Sequence, residues 1–261
     1  YPNALLKSSA ITRHDSPKYK YLISSTDNFW VSKSMYRKWD FYANSKNINL
    51  NIYSNHEVNK FMKDNFKDDL IYEIYIKSNI PVQKIDIFRI CCIYKYGGIW
   101  LDLKSEVNLD NILKFYRFSG SKGILLYEPR KIEVIKYKKN KPFKSLEHVI
   151  HNGFFYLPKK SLFLENILHK VKRDYLYFQD VIFANPKQGI MNLTGPHQFT
   201  RSYYELDENS KPDLVSQEEI GWSFYSKYGE YISPIKFNRH YSFLKNLKTI
   251  ESKKTSQLKT N

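Results

Sequence analysis

The sequence predicts an α/β fold in which a central sheet is flanked by helices, and three observations carry that expectation. Apolar periodicity alternates along the first hundred residues in the order strand, helix, strand, helix, helix. Residues 81–96 form a helix that is apolar on nearly every side and therefore has to be buried. The run GIWL, residues 98–101, follows directly and ends in Asp102, the pattern of a short buried strand that delivers a carboxylate to a sheet edge.

In chain order, residues 1–16 are irregular, 17–250 form a single domain, and 251–261, apolar only at Leu258, form a tail expected to be disordered. KYKYLISST is a strand closing into a polar turn. NFWVSKSMYRKWDFYANS is a helix with Phe29, Met35, Tyr36 and Trp39 on one face. NLNIYS is the second strand. NHEVNKFMKDNF is a helix capped by Asn55 with Glu57 in its first turn, and DDLIYEIYIKS a further helix. In the buried helix, Ser78 or Asn79 is the expected cap, Pro81 suits the first turn, and Gly97 or Gly98 ends it in the left-handed conformation. Beyond Asp102, DNILKFYRFSGSKGILLYEP reads as helix then strand, and RKIEVIKYKKNKPFKS as an exposed basic segment. EHVIHNGFFYLP returns a strand to the core, and KSLFLENILHKVKRDY has helical periodicity. MNLTGPHQFTRSYY is a turn broken by Gly195 and Pro196 that leads into a helix, and YISPIKFNRHYSFL is a late strand.

The formal charge is +16, and the chain holds 22 Tyr and 17 Phe. Such an excess fits an anionic partner, but heavy use of Lys, Asn, Ile and Tyr also follows from AT-rich coding, so charge does not select a function. Cys91 and Cys92 are adjacent and have no second pair, which excludes a disulfide framework; in an apolar run they read as small buried hydrophobes and poor nucleophiles. No stretch reaches the roughly 20 apolar residues of a membrane span. The first residues lack the pattern of a secretory leader, and a cytoplasmic location is favoured.

Two pairs of ionisable residues stand out. Asp86 and Arg89 lie three apart on one face of the buried helix. They can form an intrahelical ion pair, or their face can line a polar cavity; the cost of burying a charged pair favours the cavity. Asp102 and Lys104 follow the strand, and alternation puts both on one side of the extended backbone. Two aspartates at that spacing would suit a metal-bound diphosphate, but an ammonium cannot ligate a cation and repels one. His148, His151 and His197 have no spacing that suggests a metal cluster.

Together, IPVQKIDIFRICCIYKYGGIWLDLKSEV, NLNIYSNHEVNKFMKDNF, HNGFFYLPKKSLFLENIL, LTGPHQFT and NRHYSF resemble, in order, the blocks of the family 32 glycosyltransferases. That group includes yeast mannosyltransferases, capsular-polysaccharide enzymes and viral homologues. The resemblance spans roughly residues 18–245. It implies a GT-A type fold, a Rossmann-like mixed sheet flanked by helices. It also implies retaining transfer of a hexose from a UDP- or GDP-sugar to a glycan or other hydroxyl acceptor. By the same resemblance Asp102, Lys104 and Arg89 are catalytic, and Asp86, Arg89, Gly98, Asp102, Ser24, Thr194 and His240 bind the donor. Family members hold Mn²⁺ or Mg²⁺ on the D-x-D carboxylates. Here Lys104 occupies the second of those positions, so either the lysine replaces the metal or the metal shifts to Asp102, Glu106 and His240. A catalytically silent nucleotide-sugar binder is the alternative. A nucleic-acid partner is not expected, since it gives Asp86 and Asp102 no reason to sit in a cleft.

Overall fold

The computed structural model describes residues 21–25, 40–41, 43–44, 48–102, 105–108, 110–112, 114, 122–128, 132–133, 145–146, 148–224 and 244–252. Its main sheet is built from β1 (Tyr21–Ser25), β2 (Asn49–Tyr53), β3 (Gly98–Leu101), β5 (Ile124–Glu128), β8 (Val149–Leu157) and β10 (Asp213–Val215), in the order β10-β5-β8-β3-β1-β2. β1 runs parallel to β2 and β3, and β10 parallel to β5, while β8 is antiparallel to both of its neighbours. Five strands therefore point one way, and their carboxyl ends share one edge with the amino-terminal half of β8. Three two-stranded ladders complete the β-structure among the described residues. These are β4 (Ser105–Glu106) with β11 (Ser223–Phe224), β6 (Ile132–Glu133) with β7 (Ser145–Leu146), and β9 (Ile182–Phe183) with β12 (Leu247–Lys248).

The longer helices among the described residues are α1 (Asn55–Phe66), α2 (Leu70–Lys77), α3 (Pro81–Tyr96), α4 (Leu162–Phe178), α5 (Pro186–Leu193) and α6 (Pro196–Tyr204). The mixed α/β architecture, a mixed sheet flanked by helices, is the one the sequence predicts. Period-2 alternation splits the strands between two cores. Trp100, Leu125, Phe155 and Leu157 face α1–α4, where Phe61, Phe88, Ile90 and Phe163 pack. Ile99, Leu101, Ile124, Leu126, Phe154 and Tyr156 face the other way, toward Val215, Ile220 and Trp222.

Two expected caps move. Ser54, not Asn55, caps α1: its Oγ accepts from the Glu57 N–H (3.3 Å), and the Glu57 carboxylate accepts from the Ser54 N–H (2.8 Å). Glu57 lies three residues after Ser54, the spacing a reciprocal box needs. The N-cap of α3 is Ile80, which has no capping side chain, so neither Ser78 nor Asn79 serves; Pro81 opens the helix because it has no N–H to satisfy. Ser78 instead caps the end of α2, donating its hydroxyl to the Ile74 carbonyl.

Gly97 ends α3 as expected, with φ 72° and ψ 179°, a region open essentially to glycine alone. A Cβ there would stand 2.6 Å from the Lys159 backbone nitrogen. We expect Gly97→Ala to lower stability by about 2 kcal/mol or more, read from the chemical-denaturation midpoint, because the turn both ends the helix and starts β3.

The late strand expected in YISPIKFNRHYSFL falls almost wholly outside the described residues, as do most of residues 26–47 and the basic segment between β6 and β7. Glu251 and Ser252, at the start of the predicted tail, are bonded to the body through the Lys77 carbonyl and the Asp180 carboxylate. No helix among the described residues is long and apolar enough to cross a membrane.

Candidate functional site

β3 ends at Leu101, and the Asp102 N–H continues its ladder by bonding to the Gly153 carbonyl (2.8 Å). Asp102 thus stands at the carboxyl edge of the sheet, where ligands bind in open α/β folds. It lies on the same side as Trp100, two residues back, and the Trp100 indole N–H donates to Asp102 Oδ1 (2.9 Å). The Asp102 side chain is 33% exposed.

Behind it lies the α3 pair. Arg89 reaches Asp86 through Nη2 (3.2 Å) and Asp102 through Nη1 (3.3 Å), donates to the Asn152 carbonyl, and lies over the Trp100 ring at 5.0 Å. Asp86 also accepts from Asn152 Nδ2 (3.0 Å) and Thr194 Oγ1 (3.3 Å). Asp86 and Arg89 are 3% and 4% exposed and Thr194 is fully buried. The expected polar cavity on this face of α3 is therefore a buried network, with Asn152 and Thr194 supplying the partners that make burial tolerable, and its solvent-facing end is Asp102.

β8 supplies the rest through a ladder irregularity. Between the pairs Leu125–Phe155 and Tyr127–Ile150, β5 advances two residues and β8 five. The surplus carries His151, Asn152 and Gly153, the kind of bulge that re-aims side chains beside a site. Thr200 of α6 accepts the Ile150 N–H (2.9 Å) and anchors the distorted stretch. His151 Nδ1 accepts from the Gly153 N–H (3.1 Å), so the neutral ring carries its proton on Nε2, 3.6 Å from Glu128 at the end of β5. The ring packs edge-on against Trp222, with centroids 4.7 Å apart. A Cβ on Gly153 would stand 2.8 Å from His151 Cε1 and 2.9 Å from Asp102 Oδ2, so glycine lets ring and carboxylate approach one another.

Burial pushes the Asp86 carboxyl up to about 7, with the Asp102 charge adding to the rise and Arg89, Thr194 and Asn152 opposing it. Burial also lowers His151 below the usual imidazole range, with Asp102 and Glu128 pulling the other way and Arg89 adding to the lowering. For Asp86 the sign is definite. Between the ordinary 3.8 and about 7 the folded chain keeps a proton that the unfolded chain releases. Its contribution to stability is thus present below that window and is lost as pH rises through it. We expect unfolding midpoints measured across pH 4–7 to show this decline, and Asp86→Asn to flatten it.

Of the predicted site residues, the structure brings Asp86, Arg89, Asp102 and Thr194 together. Asp86 and Thr194 are buried inside the network, Thr194 bonded to Asp86 and Asp86 paired with Arg89. Gly98 is not at this edge: with φ 114° it opens β3 opposite Leu157, four residues before Asp102 and so about 13 Å away along the strand. Lys104 and His240 lie outside the described residues, as do the side chains of Ser24 and Glu106. By backbone, Ser24 follows the Ile23–Trp100 pair and reaches the same edge. Sequence reading missed Asn152, His151, Gly153 and Glu128. The signal available was three consecutive residues, His-Asn-Gly, at the mouth of an otherwise apolar strand.

The described residues do not suit a divalent cation. Asp102 Oδ1 is already engaged by Trp100 and faces a guanidinium, and among the described residues no group of three His, Cys, Asp or Glu side chains can hold a metal ion.

Residues 2–119 match the profile of a family described as "Glycosyltransferase sugar-binding region containing DXD motif", somewhat under half of the chain. No curated protein matches. Among solved structures, the chain is similar to PaToxG glycosyltransferase at 16% identity, over 83% of this chain and 84% of that one, with a TM-score of 0.47. It is also similar to the catalytic domain of alpha-toxin from Clostridium novyi at 13% identity, over 90% and 75%, with a TM-score of 0.39. The matched segment contains Asp86, Arg89 and Asp102, the three charges that the fold links at the sheet edge.

Proposed function

We propose that the protein is a retaining glycosyltransferase of GT-A type that moves a hexose from a UDP- or GDP-sugar to a glycan or other hydroxyl acceptor. The observation that carries this reading is the linked Asp86–Arg89–Asp102 array at the carboxyl edge of β3, inside the segment that matches a sugar-binding region. Asp102, the most exposed member, accepts hydroxyls of the donor sugar or ribose. Arg89 stands 3.3 Å behind it and holds positive potential at the edge; Asp86 and the Asn152 carbonyl hold Arg89, and the Asn152 amide and Thr194 hold Asp86.

In the reaction, the bond between the anomeric carbon and the diphosphate oxygen breaks, and its electron pair leaves with the diphosphate. The acceptor oxygen then bonds that carbon from the same face and passes its proton to the departing diphosphate oxygen. Charge grows on the leaving diphosphate, so catalysis needs fixed positive charge beside it. We assign that task to Lys104, which stands in sequence where a second carboxylate would hold a metal, with Arg89 adding to the potential.

The test is a panel of UDP- and GDP-sugars, read first by thermal shift and then by released nucleotide. A donor that raises the melting temperature and releases nucleotide supports the reading; stabilisation without release in the presence of acceptors supports a silent binder. Neither effect with any donor removes both. Chelation by EDTA separates the charge assignments: release that persists supports Lys104, whereas complete loss restored by Mn²⁺ returns the task to a metal.

A further inference from the structure

Glu128 is a second carboxylate at the carboxyl edge of the sheet, and the function proposed above does not use it. It ends β5, and β8 lies between it and Asp102 at the end of β3. Alternation alone would set the two apart, because Glu128 shares the face of Leu126 and Asp102 that of Trp100. The β8 irregularity brings both to one ring. His151 Nε2 stands 3.6 Å from Glu128, while His151 Cε1 and Asp102 Oδ2 both lie within 2.9 Å of the point where a Cβ on Gly153 would be.

The ring is fixed from several sides. Nδ1 accepts from the Gly153 N–H (3.1 Å), Nε2 carries the proton toward Glu128, and Trp222 packs edge-on at 4.7 Å. Trp222 is held in turn by its backbone N–H on the Gln217 carbonyl (2.8 Å). With both nitrogens committed, the imidazole is placed to orient its neighbour rather than to move protons. The Glu128 side chain is 25% exposed, and 3.6 Å is too long for a hydrogen bond. The carboxylate therefore keeps lone pairs with which to accept from a ligand.

We propose that Glu128 binds the acceptor, that His151 positions it, and that the acceptor is a sugar rather than a peptide side chain. The inference rests on the reading above, in which the donor occupies Asp102 and extends toward Ser24 at the end of β1; β5 lies on the opposite side of Asp102. The reacting hydroxyl of any acceptor is taken up at the anomeric carbon. A further carboxylate, one imidazole away from Asp102, serves only an acceptor that brings additional hydroxyls. Neighbouring hydroxyls on a sugar ring match the two oxygens of a carboxylate. A serine, threonine or tyrosine side chain has a single hydroxyl and leaves Glu128 unused.

The experiment takes the donor that shifts the melt of the whole chain and measures nucleotide release in buffer alone. Release is then measured with the methyl glycosides of glucose, galactose, mannose and xylose, and with a peptide carrying Ser, Thr and Tyr. At least one glycoside should raise release above that in buffer. Glu128→Gln should raise KM for that glycoside about tenfold or more, while the donor still shifts the melt as in the wild type. Glu128→Asp, which withdraws the same charge by one methylene, should raise it by less and carries the test should the first variant fail to fold. His151→Leu should raise the same KM with kcat little changed, and His151→Gln, whose amide N–H can stand in for Nε2–H, should recover most of the loss. Acceleration by the peptide alone, or by no acceptor, overturns the proposal. So does an unchanged KM in both Glu128 variants, or a donor shift lost in step with transfer, which would assign Glu128 to the donor. Two His151 variants with the same KM remove its positioning role. If no donor shifts the melt or releases nucleotide, the reading itself falls, and this inference with it.

Discussion

Replacing Arg89 by methionine is expected to destabilise the protein by about 3–5 kcal/mol, the range for removing one partner of a buried ion pair. The Arg89 side chain is 5% exposed, and its guanidinium serves Asp86, Asp102 and the Asn152 carbonyl together. Methionine fills much of its volume and keeps contact with the Trp100 ring, so the loss reports the charge rather than a cavity. What remains is Asp86, buried, with only Asn152 and Thr194 to receive its charge. Losing Arg89 removes the main influence that holds the Asp86 carboxyl down, so its proton affinity rises further. A protonated carboxyl is neutral and tolerates burial, so the destabilisation should be smaller at pH 5 than at pH 8. The double variant Asp86→Asn, Arg89→Met should recover part of the loss at pH 8, since it leaves no buried charge unpaired. Urea titration of the single and double variants at the two pH values measures all of this. An effect of equal size at both pH values, with no recovery in the double variant, would show that Arg89 acts through packing alone.

The same network marks what sequence could and could not show. The placement of Asp102 was legible because it depends on local features: a helix with no polar side, a glycine able to end it, and a four-residue apolar strand. The partners of Asp86 were not legible. A pair three apart on a helix looks the same whether it faces a cavity or a buried amide, and the residues that decide it, Asn152 and Thr194, lie 66 and 108 positions away. The capping of α1 was missed by one residue because Ser and Asn cap about equally well; only the reciprocal bond with Glu57 selects Ser54. His151 had no metal-ligand spacing to recommend it, and its approach to Asp102 arises from the five-against-two mismatch between β8 and β5, which alternation along β8 does not reveal. Gly98 was assigned to the site from its place in a motif, yet the direction of β3 puts it at the far end.

Asp102→Asn carries the largest expected effect on function, a fall in nucleotide release on the order of 10²-fold or more, if the charge of Asp102 acts in the transition state. Asparagine keeps the shape and leaves an oxygen to accept from the Trp100 indole, so the fold should be unaffected within about 1 kcal/mol. Only the negative charge facing Arg89 and the donor is removed. Gly153→Ala gives an independent approach to the same atom. Its new methyl would meet Asp102 Oδ2 at 2.9 Å and His151 Cε1 at 2.8 Å, displacing the carboxylate while preserving its charge. We expect about a tenfold loss of release from that displacement, with donor still able to raise the melting temperature. The two variants together separate charge from position. A large loss in Asp102→Asn with a small one in Gly153→Ala means that the carboxylate tolerates movement and acts as a charge. Comparable losses in both mean that its orientation, set by Trp100 on one side and the β8 bulge on the other, is what the reaction requires. Full release in Asp102→Asn would remove the sheet-edge carboxylate from the mechanism and leave Arg89 and Lys104 as the groups to examine.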